Sequence, residues 1–141
     1  MRHHFVLRVL SKLLLPTILL FALYVQFHGD YGPGGGFQAG VIFAAGFILY
    51  GLVFGLANLR TVLPPFLTRI LMCFGVLVYI CVGITSMALG GRFLDYNVLS
   101  MDPLHGQHVG ILLIELGVGV TVAAVMVSLF YSFSSKWEDD S

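Results

Sequence analysis

Charge is scarce in this sequence. Seven Lys and Arg and seven Asp and Glu make up 10% of 141 residues, where a soluble domain carries about 25%. With 58% hydrophobic residues, that deficit excludes an ordinary water-soluble domain and points to an integral membrane protein. The formal net charge is zero, so no basic surface invites nucleic acid. The length leaves no room for a second domain. Cysteine is nearly absent too: only Cys73 and Cys81 occur, both in one apolar run. On one helix they stand about 12 Å apart, too far for a disulfide. No CxxC or paired Cys/His spacing marks a metal site, so both read as small apolar packing residues and no cofactor is expected.

Long apolar runs are what the sequence has instead. A spanning helix needs about 20 mostly apolar residues. Four stretches qualify: Val9 to Phe27, Gly36 to Leu56, Phe66 to Leu89 and His108 to Phe133. The expected fold is an all-α integral membrane protein with four transmembrane helices, a single membrane domain over residues 1–141. The basic start and apolar centre of the first run also describe a signal peptide. No small-x-small cleavage site follows "LYVQFHGD" and three more runs come after, so a retained helix is expected. Lys12 can snorkel to the interface, and Pro16 is expected to loosen that helix. Arg2, Arg8, Lys12, Arg60, Arg69 and Lys136 fall on one side and Arg92 alone on the other, which puts both termini in the cytoplasm. The Gly29 to Gly40 turn and the Gly90 to Gln107 loop then lie outside. The tail "KWEDDS" is expected to fray, with Trp137 as an interface anchor.

Small residues recur at helical spacing. Gly36, Gly40 and Ala44 repeat every four residues on the second span, Gly51 and Gly55 continue a nearby face, and Gly119 and Ala123 do the same on the fourth. Such faces let helix backbones approach closely where lipid gives no hydrophobic drive. One face of the second span is therefore expected to pack tightly, inside this chain or on a partner.

The polar groups gather at the outer half: His28, Asp30 and Gln38 flank the turn, and Asp95, Asp102, His105 and His108 lie in or near the second loop. Glu115 is the sharpest of them, set in "GILLIELGVGV", about 10 Å into the last helix. Ionisable groups at such depth are costly and usually face a bundle interior or a wet path. His108, seven residues earlier, shares its helical face, and His105 joins the stripe if the helix starts early. Glu115 reads either as a proton or cation relay or as a structural carboxyl. His105 and His108 lack a third ligand at fixed spacing, which makes metal or haem a weak reading, and His3 and His4 belong to the basic N-terminus. The turn "GDYGPGGGFQAG" has no GK[ST] and no nearby Lys or Arg for a phosphate. Glycine permits the reversal, Pro33 sits just ahead of the helix where its missing N–H does least harm, and Asp30 suits the positive helix end. The stretch is either a tight surface turn or a short dip packed against another subunit, and Phe37 and Gln38 fit a docking role.

"PGGGFQAG" from Pro33 to Gly40 and "IELGVGVTV" from Ile114 to Val122 resemble the MnhB-type (MrpB-type) subunit of the Mrp/Mnh multisubunit sodium/proton antiporters. The resemblance spans the chain in length, number of runs and placement of the turn. It departs at one place: a form of the motif reads Gly-His-Asn-x-Pro-Gly-Gly-Gly-Phe. Here Asp30 stands in the histidine position and His28 lies two residues earlier. The resemblance implies a small membrane subunit of a hetero-oligomer in the bacterial inner membrane. Its partners would be large complex I-like subunits and other small membrane subunits, and Na+ and H+ would be the transported ions. It singles out Pro33, Gly34, Gly35, Gly36, Phe37 and Glu115 as residues for function or assembly. In such a transporter Glu115, with Asp30 and His108, would line an outer cation exit, and His28 and His105 are further candidates for the cation or proton pathway. Related modules occur in membrane-bound hydrogenase-type complexes, which is the alternative, together with a purely structural scaffold. A haem- or quinone-binding subunit using His105 and His108, and a stand-alone small exporter, rank lower. Such exporters carry their carboxylate in the first span, and none is present there.

Overall fold

The computed structural model describes residues 2–29, 31 and 34–139, with side chains from residue 4 to residue 136 of that set. Asp30, Pro33 and the side chains of His3 and Trp137 lie outside it. All regular structure among the described residues is helical: α1 Arg2–Phe27, α2 Gly36–Phe54, α3 Leu56–Val62, α4 Pro65–Ala88, a short 3-10 helix Tyr96–Leu99 and α5 Pro103–Asp139. Four helices are long and apolar enough to cross a membrane: His4–Phe27, Gly36–Phe54, Pro65–Ala88 and Pro103–Lys136. Helices are the form in which such runs satisfy every backbone group without water.

Several boundaries differ from those expected. The second run leaves the helix at Gly55, whose φ of 98° suits a residue without Cβ. Leu56 therefore starts the separate helix α3, and Gly55 is a hinge instead of a packing position. The last helix begins at Pro103 instead of His108. Asp102 caps it, with Oδ1 accepting from the Leu104 amide at 3.2 Å, and Pro103 supplies a preset φ at the first helical position. At the other end α5 continues through Asp139, where a frayed tail was expected. Its 37 residues make it about 55 Å long, well beyond the roughly 30 Å of a hydrocarbon core. Helix α1 runs unbroken through Pro16.

The bundle is held where backbones nearly touch. Gly36 abuts the Glu115 backbone carbonyl, and a Cβ at Gly40 would lie 2.6 Å from the Gly119 carbonyl oxygen. The small face of α2 thus packs within the chain, against α5. On the opposite side of α5, Gly75 of α4 abuts Thr121 Oγ1, and a Cβ at Gly117 would lie 2.9 Å from the Gly75 carbonyl. Hydroxyls at these contacts turn back on their own helices: Thr121 Oγ1 donates to Gly117 O at 2.9 Å, Ser86 Oγ to Val82 O at 2.8 Å. They therefore pack as small apolar groups. Gly46 faces Leu19 of α1, and Gly51 meets Leu59 and Phe130. An apolar cluster of Ala44, Leu59, Leu63, Val127 and Tyr131 closes the end that carries Arg60 and Arg69, where the Tyr131 hydroxyl donates to the Leu63 carbonyl. Cys73 and Cys81 are free and exposed on the outside of α4, so any packing they do is against lipid or another chain.

These contacts also set heights. Gly40 and Gly75 both meet α5 around Gly119 and are level. From there toward the glycine turn, α2 has only Gly36–Ala39, about 6 Å of helix. Helix α4 has Val76–Ala88, about 20 Å. The α1–α2 hairpin therefore stops about 14 Å short of the α4–α5 hairpin.

Candidate functional site around Glu115

Glu115 lies on the face of α5 that meets the first residue of α2, at the foot of this step. It is half-buried. Its carboxylate is seated against the glycine turn: a methyl group at Gly29 would lie 2.7 Å from Oε2 and 3.0 Å from Oε1, and one at Gly35 would lie 3.2 Å from Oε1. Two glycines that contribute no side chain are what admits the carboxylate there. Gly34 carries a φ of 148°, in the region that favours glycine, and brings the chain from the turn into α2.

Beside this seat, aromatic rings connect α1 to α5. His28 stacks on Tyr24 with ring centroids 5.0 Å apart, Tyr31 is 6.0 Å from His28, and His108 is 6.2 Å from Tyr31. His28, Tyr31 and His108 are exposed, so the row lies on the open side of the step. His108 and Glu115 do share a helical face, but they are separated by about 10 Å along the axis. His105 is helical and exposed, about 15 Å from Glu115 along α5. Phe37 is 57% exposed and Gln38 is exposed, with Oε1 turned toward Gly35. Gly40 is buried on Gly119. Asp95 is taken up by its own loop, accepting from the Asn97 amide at 3.3 Å. Tyr96 packs over Gly110, where burial, then the neighbouring Tyr79, raises its hydroxyl pKa.

One residue escaped sequence reasoning. Gln26, near the end of α1, is 7% exposed and approaches Gly119, where a Cβ would lie 2.6 Å from its Oε1. The available signal was an amide inside the apolar run "ALYVQF".

The seat, the turn and the helices that carry them fall inside one family match. Residues 6–128 fit the model described as a domain related to the MnhB subunit of Na+/H+ antiporter. The chain belongs to the MnhB family. It is similar to the antiporter subunit mnhB2 of Staphylococcus aureus strains Newman, JH1 and Mu3, 41% identical to each over 132 residues, which cover 92% of this chain and 93% of the relative. As an MnhB chain with four apolar helices, it is a multi-pass cell-membrane subunit of a multisubunit Na+/H+ antiporter. The site around Glu115 belongs to a transporter component.

Proposed function

We propose that this MnhB subunit supplies Glu115 to the antiporter as a carboxylate that exchanges a proton for a sodium ion. The observation that carries the reading is the seating of the carboxylate on Gly29 and Gly35. An ionisable side chain in a membrane helix is expensive, and here two glycines leave room for it. The basic residues at the opposite end favour cytoplasmic termini, so Glu115 faces the outer side, with His28 and His108 around its approach; Asp30 lies outside the described residues. The turn lies below the far end of α4, and non-helical backbone at membrane depth is tolerated only against protein or water. A neighbouring subunit therefore covers the step, and Phe37 and Gln38 are its contacts. Between Glu115 and the basic end the cleft is lined, apart from Gln26, by apolar residues such as Phe43, Phe47, Leu71 and Val127. The subunit holds an outer half-site, and the rest of the ion route belongs to its partners, the large complex I-like subunits with other small ones.

Purification through a C-terminal tag in mild detergent, followed by mass spectrometry, tests this assembly. Large complex I-like subunits and several small membrane subunits are expected together. Hydrogenase subunits among them would move the chain to a redox-driven pump, and a chain recovered as a homo-oligomer would sink the reading. A narrower test is Gly29→Ala. The added methyl presses on the end of a movable side chain, so assembly is expected to hold while the apparent sodium affinity of antiport falls severalfold. Unchanged affinity would mean that the seat has no part in ion binding.

A further inference from the structure

One turn along α5 from Glu115, α1 buries a polar side chain that the ion-binding reading does not use. Gln26 is 7% exposed, and its Nε2 has no hydrogen-bond partner among the described residues. Buried amides are nearly always paired, and hydrocarbon offers no water to do it. Gln26 borders a cleft of about 310 Å³ between the two hairpins. Every other side chain lining that cleft, Ala39, Phe43, Leu116 and Val120 among them, lacks a polar group. Around Gly119, the α5 residues that share its face are Leu112, Glu115, Leu116, Val122 and Ala123. Glu115 alone carries an acceptor. It stands four positions before Gly119, the spacing at which side chains on one helix meet. Gly119 puts no side chain between them.

We infer that Gln26 is a positioning residue for Glu115: its amide receives the carboxylate in a second position, turned from the glycine seat toward Gly119. This rests on Glu115 being the ion-binding carboxylate. In the first position the carboxylate lies at the foot of the step, open to the turn side. In the second it is withdrawn between α1 and α5 and hydrogen-bonded to a neutral donor, which favours its ionised, cation-holding form. Among the described residues, the titratable groups around it are His28 and Tyr31 from α1 and the turn, Tyr79 on α4 and His108 on α5. Helix α2 brings none before Tyr50.

Gln26→Leu in the whole antiporter tests the inference. Leucine fills similar space and removes an orphaned donor, so a merely structural glutamine predicts unchanged or tighter assembly and unchanged transport. The inference predicts intact assembly, a turnover lowered about fivefold or more, and a pH profile moved upward by about one unit, because the carboxylate loses a donor to its charged form. In a Glu115→Gln background the same change is expected to add nothing. Wild-type turnover and pH profile, or additive losses in the double variant, would overturn it. So would loss of other subunits from Gln26→Leu, which makes the amide a contact for a partner helix. If Glu115→Gln impairs antiport while Gln26→Leu does not, only this inference fails. If Glu115→Gln is silent, the ion-binding reading fails with it.

Discussion

Replacing Glu115 with glutamine is expected to lower sodium/proton antiport by at least about tenfold while the complex still assembles. Glutamine has nearly the shape of glutamate, so it fits the same seat on Gly29 and Gly35. The tightest contact at this level, between Gly36 and the Glu115 backbone carbonyl, does not involve the carboxylate. The substitution therefore leaves the α2–α5 backbone packing untouched and removes charge and titration, with one acceptor oxygen replaced by an NH2 donor. A carboxyl kept for structure predicts the opposite balance. A charged acceptor holds neighbouring donors more strongly than an amide does, so transport per assembled complex would stay level while the yield of intact complex would fall. The measurement is sodium-driven proton movement in everted vesicles from cells without other antiporters, beside the yield of intact complex. Full antiport with intact complex would remove Glu115 from the ion path.

The membrane architecture was legible because an apolar run of spanning length has one solution in lipid, a helix. Glu115 was legible for the same reason: a charge inside such a run stands out. The partners of the glycines were not. A four-residue repeat of small side chains announces close approach without saying to what, and only the fold brings Gly36 and Gly40 onto Glu115 and Gly119, about eighty positions away. Heights were not legible either. Run lengths say that each helix can cross, and they are silent about the offset that leaves the turn below the end of α4. Asp102 and Pro103 together signal a helix start that the apolar count alone placed five residues late. Gln26 was hidden by its position one residue from the end of α1, where an amide reads as an interface residue until Gly119 is seen against it. His108 illustrates the limit of a shared face: the stripe is real, yet its ring meets Tyr31 well above the carboxylate.

Gly36→Leu is expected to remove the subunit from the complex altogether. A Cβ at this position would fall on the Glu115 carbonyl oxygen, 2.7 Å from the carbonyl carbon and 2.9 Å from Cα. These are backbone atoms in the body of a helix, so no rotamer change relieves the overlap. Helix α2 has to move away from α5. Gly40 shares the same contact one turn on, with Gly119 O at 2.6 Å and Val122 Cβ at 2.9 Å from its virtual methyl, so the separation spreads along the interface. Overpacking a well-packed core costs about 1–3 kcal/mol or more. In lipid, where van der Waals packing and hydrogen bonds hold helices together, no hydrophobic gain offsets it. Gly36→Ala should lie between wild type and leucine, whereas Phe37→Leu, one residue away on an exposed side chain, leaves the chain's own packing intact. Recovery of the tagged subunit and of its partners after detergent extraction reads the result. Full recovery of an assembled Gly36→Leu complex would mean that α2 and α5 do not approach at Glu115, and the seat of the carboxylate would go with that contact.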